Sequence, residues 1–167
     1  MRDHRKASAG GQATFAVITS SDSRTERTDE SGRVATALLE GAGHRSLGRL
    51  LVPNSEGKLR AAIRGGWRRG ADLVVVTGGT GAGPRDVSVQ AARACADREM
   101  EGFGELFRLL SWREIGSAAM LSRAFLGLRS GRAVCVTPGS PKAVSLALRR
   151  LIVPELLHLL AQARGPR

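Results

Sequence analysis

Tyrosine is absent from this 167-residue sequence, and aromatic residues make up only 4% of it. The core must therefore be aliphatic, and a hydrophobic share of 42% supplies enough Leu, Val, Ile and Ala for an ordinary interior. Cysteine is nearly as scarce. Cys95 and Cys135 lie far apart in apolar segments with no His or Cys at metal-ligand spacing, which points to a reduced intracellular pair. The three histidines, His4, His44 and His158, share no motif, and no Ser-His-Asp or Cys-His arrangement is present. No stretch approaches the roughly 18 apolar residues of a membrane span. Met1 to Gln12 has no apolar core of the kind a secretory leader needs. It carries Arg2, Arg5, Lys6 and Gly10-Gly11 and reads as a flexible arm before a single cytoplasmic domain over 13–167.

Acid is the last shortage. Fifteen Asp and Glu stand against 26 Lys and Arg, a formal net charge of +11. Such a balance gathers anions: nucleic acid, acidic membrane or phosphorylated metabolites. No RNP, zinc or basic-zipper pattern accompanies the charge, so nucleic acid is disfavoured as a partner.

What is present alternates between strand and helix signals. Thr14 to Thr19 is an apolar run that stops at a polar cluster, a buried strand with a loop at its carboxyl end. Asp29 offers an N-cap to a helix with Val34, Ala35, Leu38, Leu39 and Ala42 on one face, ended by Gly41 and Gly43. Ser46 to Val52 predicts a second strand, and Ser55 can cap a helix through about Arg69. Asp72 to Val76 has no polar alternation, so both its faces should be covered. Ser88 to Asp97 reads as helix, and Phe103, Leu106, Phe107 and Leu110 give Gly102 to Leu110 a helical apolar face. Arg132 to Val136 predicts a fourth strand, and Pro141 suits the first position of the helix after it, with a kink or restart at Pro154. The pattern is that of an α/β protein with an open, mostly parallel sheet between helical layers. Such sheets bind ligands beyond the carboxyl ends of their strands.

Thr77-Gly78-Gly79-Thr80-Gly81-Ala82-Gly83 directly follows the clearest strand. Glycines there let the backbone turn tightly and present amide hydrogens to an anion. The two threonines add hydroxyls, and Arg85 could clamp a phosphate oxygen. The loop is neither a P-loop nor a G-x-G-x-x-G fingerprint. Asp86 is either a plain N-cap or the holder of a divalent ion that bridges phosphates. Pro138-Gly139-Ser140-Pro141-Lys142 joins strand to helix and is either a second anion seat or an ordinary capped turn. Ser21, Asp22 and Arg24 lie in the loop after the first strand, a kind of loop that is usually just solvated.

Seven segments, in order, resemble the MogA/MoaB family of molybdenum-cofactor biosynthesis proteins, whose domain also occurs in MoeA and gephyrin. They are Ser21 to Arg24, Asp29 to Gly32, Thr77 to Gly81, Pro84 to Val87, Gly102 to Arg108, Met120 to Ala124 and Pro138 to Val144. The resemblance implies a three-layer α/β/α fold, a homotrimer or a hexamer built from two, and molybdopterin as ligand. It also implies work alongside other proteins of the pathway. In active members the terminal phosphate of molybdopterin attacks the α-phosphorus of Mg·ATP, giving adenylyl-molybdopterin and diphosphate. Carried over by motif, Asp86 becomes the catalytic carboxylate and Mg²⁺ ligand, and Thr77, Gly78, Gly79, Thr80 and Gly81 shape the ligand loop. Ser21, Asp22, Arg85, Glu105, Ser122, Arg123, Pro138, Gly139, Ser140 and Lys142 fall in the family's ligand-lining motifs.

Two positions depart from the family. Where it commonly has Pro-Asp after the second strand, this chain has Pro53-Asn54, and the Glu common after Arg-Asp-Val is Gln90 here. Asparagine keeps the shape of aspartate but not its charge. These two changes leave a second expectation beside the enzyme: a weak or inactive paralogue that binds or carries molybdopterin.

Overall fold

The computed structural model describes residues 11–165. Met1 to Gly10, most of the expected arm, lie outside the described residues, as does His4. The described end of the arm is tied down, since Gln12 Nε2 donates to the Gly43 carbonyl at 2.9 Å.

Six strands form one sheet in the order β2-β1-β3-β6-β5-β4: β1 (Thr14–Ser20), β2 (Arg45–Val52), β3 (Leu73–Thr77), β4 (Arg98–Glu99), β5 (Phe125–Arg129) and β6 (Arg132–Thr137). β1 is parallel to β2 and β3, and β3 to β6, while β5 runs antiparallel to both β6 and β4. β3 is buried along its whole length, as its unbroken apolar run requires.

The helices are α1 (Glu30–Gly41), α2 (Glu56–Arg68), α3 (Ser88–Arg93), α4 (Glu101–Ile115), α5 (Pro141–Ala147) and α6 (Val153–Arg164). Two apolar clusters flank the sheet. On one face Phe15, Val17, Val75 and Cys135 pack against Leu39, Phe103, Phe107, Val144, Leu148 and Leu156 of α1, α4, α5, α6 and the turn before α6. On the other Ile18, Val74, Val76 and Val134 meet Leu59, Ile63, Trp67, Val89 and Ala92 of α2 and α3. This is the three-layer α/β/α arrangement expected.

Local chemistry explains the helix ends. The Asp29 carboxylate caps α1 by accepting from Gly32 N at 2.9 Å, and Ser140 caps α5 by accepting from Ala143 N at 3.2 Å. Ser55 occupies the N-cap position of α2 without a side-chain bond. A five-residue π turn, Leu148–Ile152, links α5 to α6 through continuous helical backbone, and Pro154, which has no N–H to donate, directly follows this irregular turn.

Several expectations are corrected. The sheet has two strands beyond the four predicted. β5 and β6 form a hairpin through Ser130 (φ 48°) and Gly131 (φ 73°), the left-handed pair a two-residue turn requires. The helix predicted to reach Asp97 stops at Arg93, because the backbone is captured by the sheet edge: Asp97 N donates to Leu128 O, and Met100 N to Leu126 O. α4 continues five residues past Leu110, and its face is narrower than predicted, since Phe103 and Phe107 are buried but Leu106 is 50% exposed. Ala42 is exposed, not inward.

Candidate functional site

Strand order reverses between β1 and β3, so the loops after these strands and after β6 meet at one crevice edge. They meet backbone to backbone. Gly78 has φ +89°, and a Cβ on it would lie 2.6 Å from the Ser20 carbonyl. A Cβ on Gly139 would lie 3.2 Å from the Gly78 Cα. Gly78 N donates to Thr137 O at 2.9 Å, joining the β3 loop to the end of β6. Gly79 has φ +67°, and its Cβ would fall 2.3 Å from Ser88 Oγ. Only glycine fits such positions without strain.

The next amides are not used internally. Among the described residues, the N–H groups of Gly79, Thr80, Gly81 and Ala82 have no protein partner, while Gly83 N is taken by the Asp86 carboxylate at 3.0 Å. Four consecutive open donors at the tip of a buried strand are available to an anion.

Asp86 is not a helix cap, because Val87 holds the N-cap position of α3. Its carboxylate folds back over the loop, and a Cβ on Gly81 or Gly83 would lie 2.8 Å from Oδ2. Arg123 holds the same loop from behind. Its amide donates to Thr80 O at 3.2 Å, Nε to Thr80 O and Gly81 O at 3.3 and 3.0 Å, and Nη2 to Asp86 O. Gln90 joins this set with its amide turned so that both ends are satisfied: Oε1 accepts from Arg123 Nη1 at 3.0 Å and Nε2 donates to Asp86 O at 3.2 Å. Arg123 is thus a strut of the loop.

A second network lies at the mouth. The Asp22 carboxylate accepts from Asn54 N at 2.8 Å and Asn54 Nδ2 at 3.0 Å, and Arg85 Nη1 of the glycine loop stands 3.2 Å away. Asn54 Oδ1 in turn accepts from Ser20 Oγ at 2.6 Å. The Asn54 bonds, backbone first, and then Arg85 hold the Asp22 carboxyl below its ordinary range. Ser21 Oγ is occupied with its own loop, accepting from Ser23 N and Arg24 N at 3.3 and 3.1 Å.

Beneath the loop, Thr77 is fully buried and bonded to Thr19 Oγ1 (3.3 Å) and Ser31 Oγ (3.2 Å), so it shapes the floor instead of facing a guest. Thr19 donates to both Asp29 carboxylate oxygens at 3.0 Å. Three buried hydroxyls have no partner among the described residues: Ser88 Oγ, Ser122 Oγ and Thr137 Oγ1. Buried hydroxyls are normally paired with protein or with ordered water. Ser88 and Thr137 were missed by sequence reasoning, although Thr19, Thr77 and Thr137 each follow an apolar pair near the end of a strand, and register places the three side by side.

The structure therefore brings together Thr80, Gly81, Asp86 and Arg123, with Asp22 and Arg85 at the rim and Gly78 against Gly139. It does not draw in every predicted residue. Ser140 Oγ is spent on the α5 cap, Glu105 is exposed on α4, and Lys142 lines a separate groove with Glu114 and Arg149. No cluster of three or more His, Cys, Asp or Glu able to hold a metal occurs among the described residues, and no helix there is long and apolar enough to cross a membrane.

Comparison with known proteins places this geometry. Residues 16–158 match a family model described as "Probable molybdopterin binding domain". Molybdenum cofactor biosynthesis protein B of Bacillus cereus is 42% identical over 159 residues, which cover 94% of each chain. A crystal structure of a molybdenum cofactor biosynthesis protein B superposes with a TM-score of 0.89 at 41% identity, covering 93% of this chain and 98% of that one. The tungsten cofactor synthesizing protein MoaB from Pyrococcus furiosus gives 0.84 at 34% identity, covering 94% and 100%.

Proposed function

The chain belongs to the molybdopterin-binding family of molybdenum cofactor biosynthesis, and from that premise we propose that it binds molybdopterin by its terminal phosphate at the glycine loop and transfers AMP to it. The observation that carries this reading is the run of open amides from Gly79 to Ala82. An anion with several acceptor oxygens is the natural partner of consecutive backbone donors.

In the proposed reaction a phosphate oxygen of molybdopterin forms a bond to the α-phosphorus of ATP, the α–β anhydride bond breaks, and diphosphate leaves. Two polyanions must be held in line while their charge is neutralised. Arg85 at the rim supplies a mobile cation, since its side chain is 78% exposed and only Asp22 holds it. Asp86 is the carboxylate that would hold Mg²⁺ together with the phosphates, since Mg²⁺ is commonly bound through one or two carboxylates plus substrate phosphates. Arg123 and Gln90 keep the Asp86 segment in place.

The test is to incubate purified protein with molybdopterin, ATP and Mg²⁺ in a reduced cytoplasm-like buffer and to look for adenylyl-molybdopterin and diphosphate. Their formation supports the transfer. Binding of molybdopterin without product leaves the carrier function, and absence of binding overturns both.

We also propose assembly of the chain with copies of itself, as a trimer or a pair of trimers. Leu106, Leu109, Trp112, Ile115, Met120 and Leu121 are all at least half exposed on α4 and the 3₁₀ turn after it. Contiguous apolar surface of this kind marks an interface. Light scattering on the wild type and on Leu109→Glu should give a trimer or hexamer and a smaller species; a monomeric wild type refutes the assembly.

A further inference from the structure

We infer that Asn54 and Gln90 are positioning residues: two carboxamides that each accept with one end and donate with the other, and so fix the Asp22 and Asp86 segments around the glycine loop. For what the loop holds, this rests on the molybdopterin reading; for how the loop is held, it stands on the hydrogen bonds alone.

A carboxamide offers a donor and an acceptor a little over 2 Å apart, whereas an ionised carboxylate offers acceptors only. Both sites use the amide in full. At position 54 the acceptor takes the Ser20 hydroxyl at 2.6 Å, and the donor, with its own backbone N–H, grips both oxygens of Asp22. Asp22 then reaches Arg85 at 3.2 Å. A chain of bonds, Ser20 to Asn54 to Asp22 to Arg85, thereby ties the ends of β1, β2 and β3 together. At position 90 the acceptor takes Arg123 Nη1 and the donor goes to the Asp86 carbonyl. That carbonyl also receives Arg123 Nη2, so Gln90 and Arg123 close a ring on the residue whose carboxylate caps Gly83.

Neither position tolerates a carboxylate in the same role. An aspartate at 54 would set two carboxylate oxygens about 3.0 Å apart, the contact now made by Nδ2, and like charges so close cannot both ionise cheaply. A glutamate at 90 would keep Arg123 but turn an acceptor toward the Asp86 carbonyl. The amides are therefore working parts of this site, and a carboxylate at either position cannot both accept and donate as they do.

The experiment compares wild type, Asn54→Asp, Asn54→Ala, Gln90→Glu and Gln90→Ala by hydrogen–deuterium exchange, without ligand and in EDTA. Exchange is read as protection factors for residues 20–24 and 78–88. Product formation is assayed separately. At neutral pH the position-54 variants lose protection at 20–24 and 78–88, and the position-90 variants at 78–88, by roughly three- to tenfold, the worth of one hydrogen bond. Asn54→Asp recovers protection as the pH falls through roughly 4–6, where the carboxyl pair takes up a proton and can donate again. Among the described residues, the charged side chain that faces that pair is Arg85, from the β3 loop, and Ser20 on the other side is neutral. Asn54→Ala shows the same loss with no recovery, which keeps the test valid if Asn54→Asp fails to fold. Wild-type protection in Asn54→Asp and Gln90→Glu, or recovery in Asn54→Ala, overturns the inference. Loss of protection in variants of a protein that never forms product overturns the proposed transfer and leaves the positioning role standing.

Discussion

Gly79→Ala tests the geometry of the loop most directly, because two separate costs can be worked from it. The backbone there sits at φ +67°, a conformation that costs an L-residue roughly 1–2 kcal/mol. The new Cβ would also lie 2.3 Å from Ser88 Oγ, 3.1 Å from Ser88 Cβ and 3.3 Å from Ser88 N. Ser88 cannot swing away, since it is fully buried as the first residue of α3 and its N–H donates to Gly79 O. Overpacking of this kind costs about 1–3 kcal/mol. The total of about 2–5 kcal/mol is a large part of the roughly 5–15 kcal/mol that holds a domain together. With a urea slope of about 2 kcal/mol/M, the unfolding midpoint should fall by roughly 1–2.5 M. A cycle with Ser88→Ala separates the costs. That variant alone should be close to neutral, because its hydroxyl has no partner. The double variant should regain about 1–2 kcal/mol, since the Oγ clash goes while the φ cost and the 3.1 Å contact stay. Urea denaturation followed by circular dichroism measures all four proteins. A Gly79→Ala midpoint within error of wild type, or strict additivity across the cycle, would refute the account of why the loop is glycine.

The other predictions concern chemistry and charge. Asp86→Asn should abolish ATP-dependent adenylylation while molybdopterin binding stays nearly intact, as measured by product assay and by titration; full activity in the variant removes Asp86 from the catalytic role. Arg123→Ala should raise the molybdopterin dissociation constant roughly tenfold or more through loss of three loop carbonyl contacts; a calorimetric titration that shows unchanged affinity contradicts this. Burial lowers the His44 pKa, and its Nδ1 accepts from Ala13 N at 3.3 Å, so the folded state keeps the ring neutral. The unfolded chain then binds the extra proton, and the stability from His44 is complete above about pH 6.5 and lost as pH falls through the folded value. His44→Gln should flatten the fall in melting temperature below about pH 6.5; an unchanged slope assigns the acid sensitivity elsewhere.

How much of this was legible in the sequence depends on where each bond ends. β3 and its loop were readable because an unalternated apolar run followed by glycines has few other physical solutions. Asp29 and Pro141 were readable as helix starts for the same reason: each supplies something that a helix terminus lacks. Arg123 could be placed in a motif, but its task could not be seen. Its partners are main-chain carbonyls some 40 residues earlier, and a carbonyl leaves no trace in residue identity. The amides at 54 and 90 first read as missing charge, because a sequence shows what a side chain is and not what stands opposite it. β5 was hidden for a different reason. Phe125 to Leu128 is short, and only the Ser130-Gly131 turn marks it as half of a hairpin.

The contact between Gly78 and Gly139 also limits how this protein can change. With Ser20 on one side and Gly139 on the other, Gly78 is the middle board of three laid edge to edge with no gap. Widening any one of them displaces its neighbours, so a pocket retuned for a different guest has to be altered on several boards together. Variation by single steps is confined to the rim, where Arg85 has room to move.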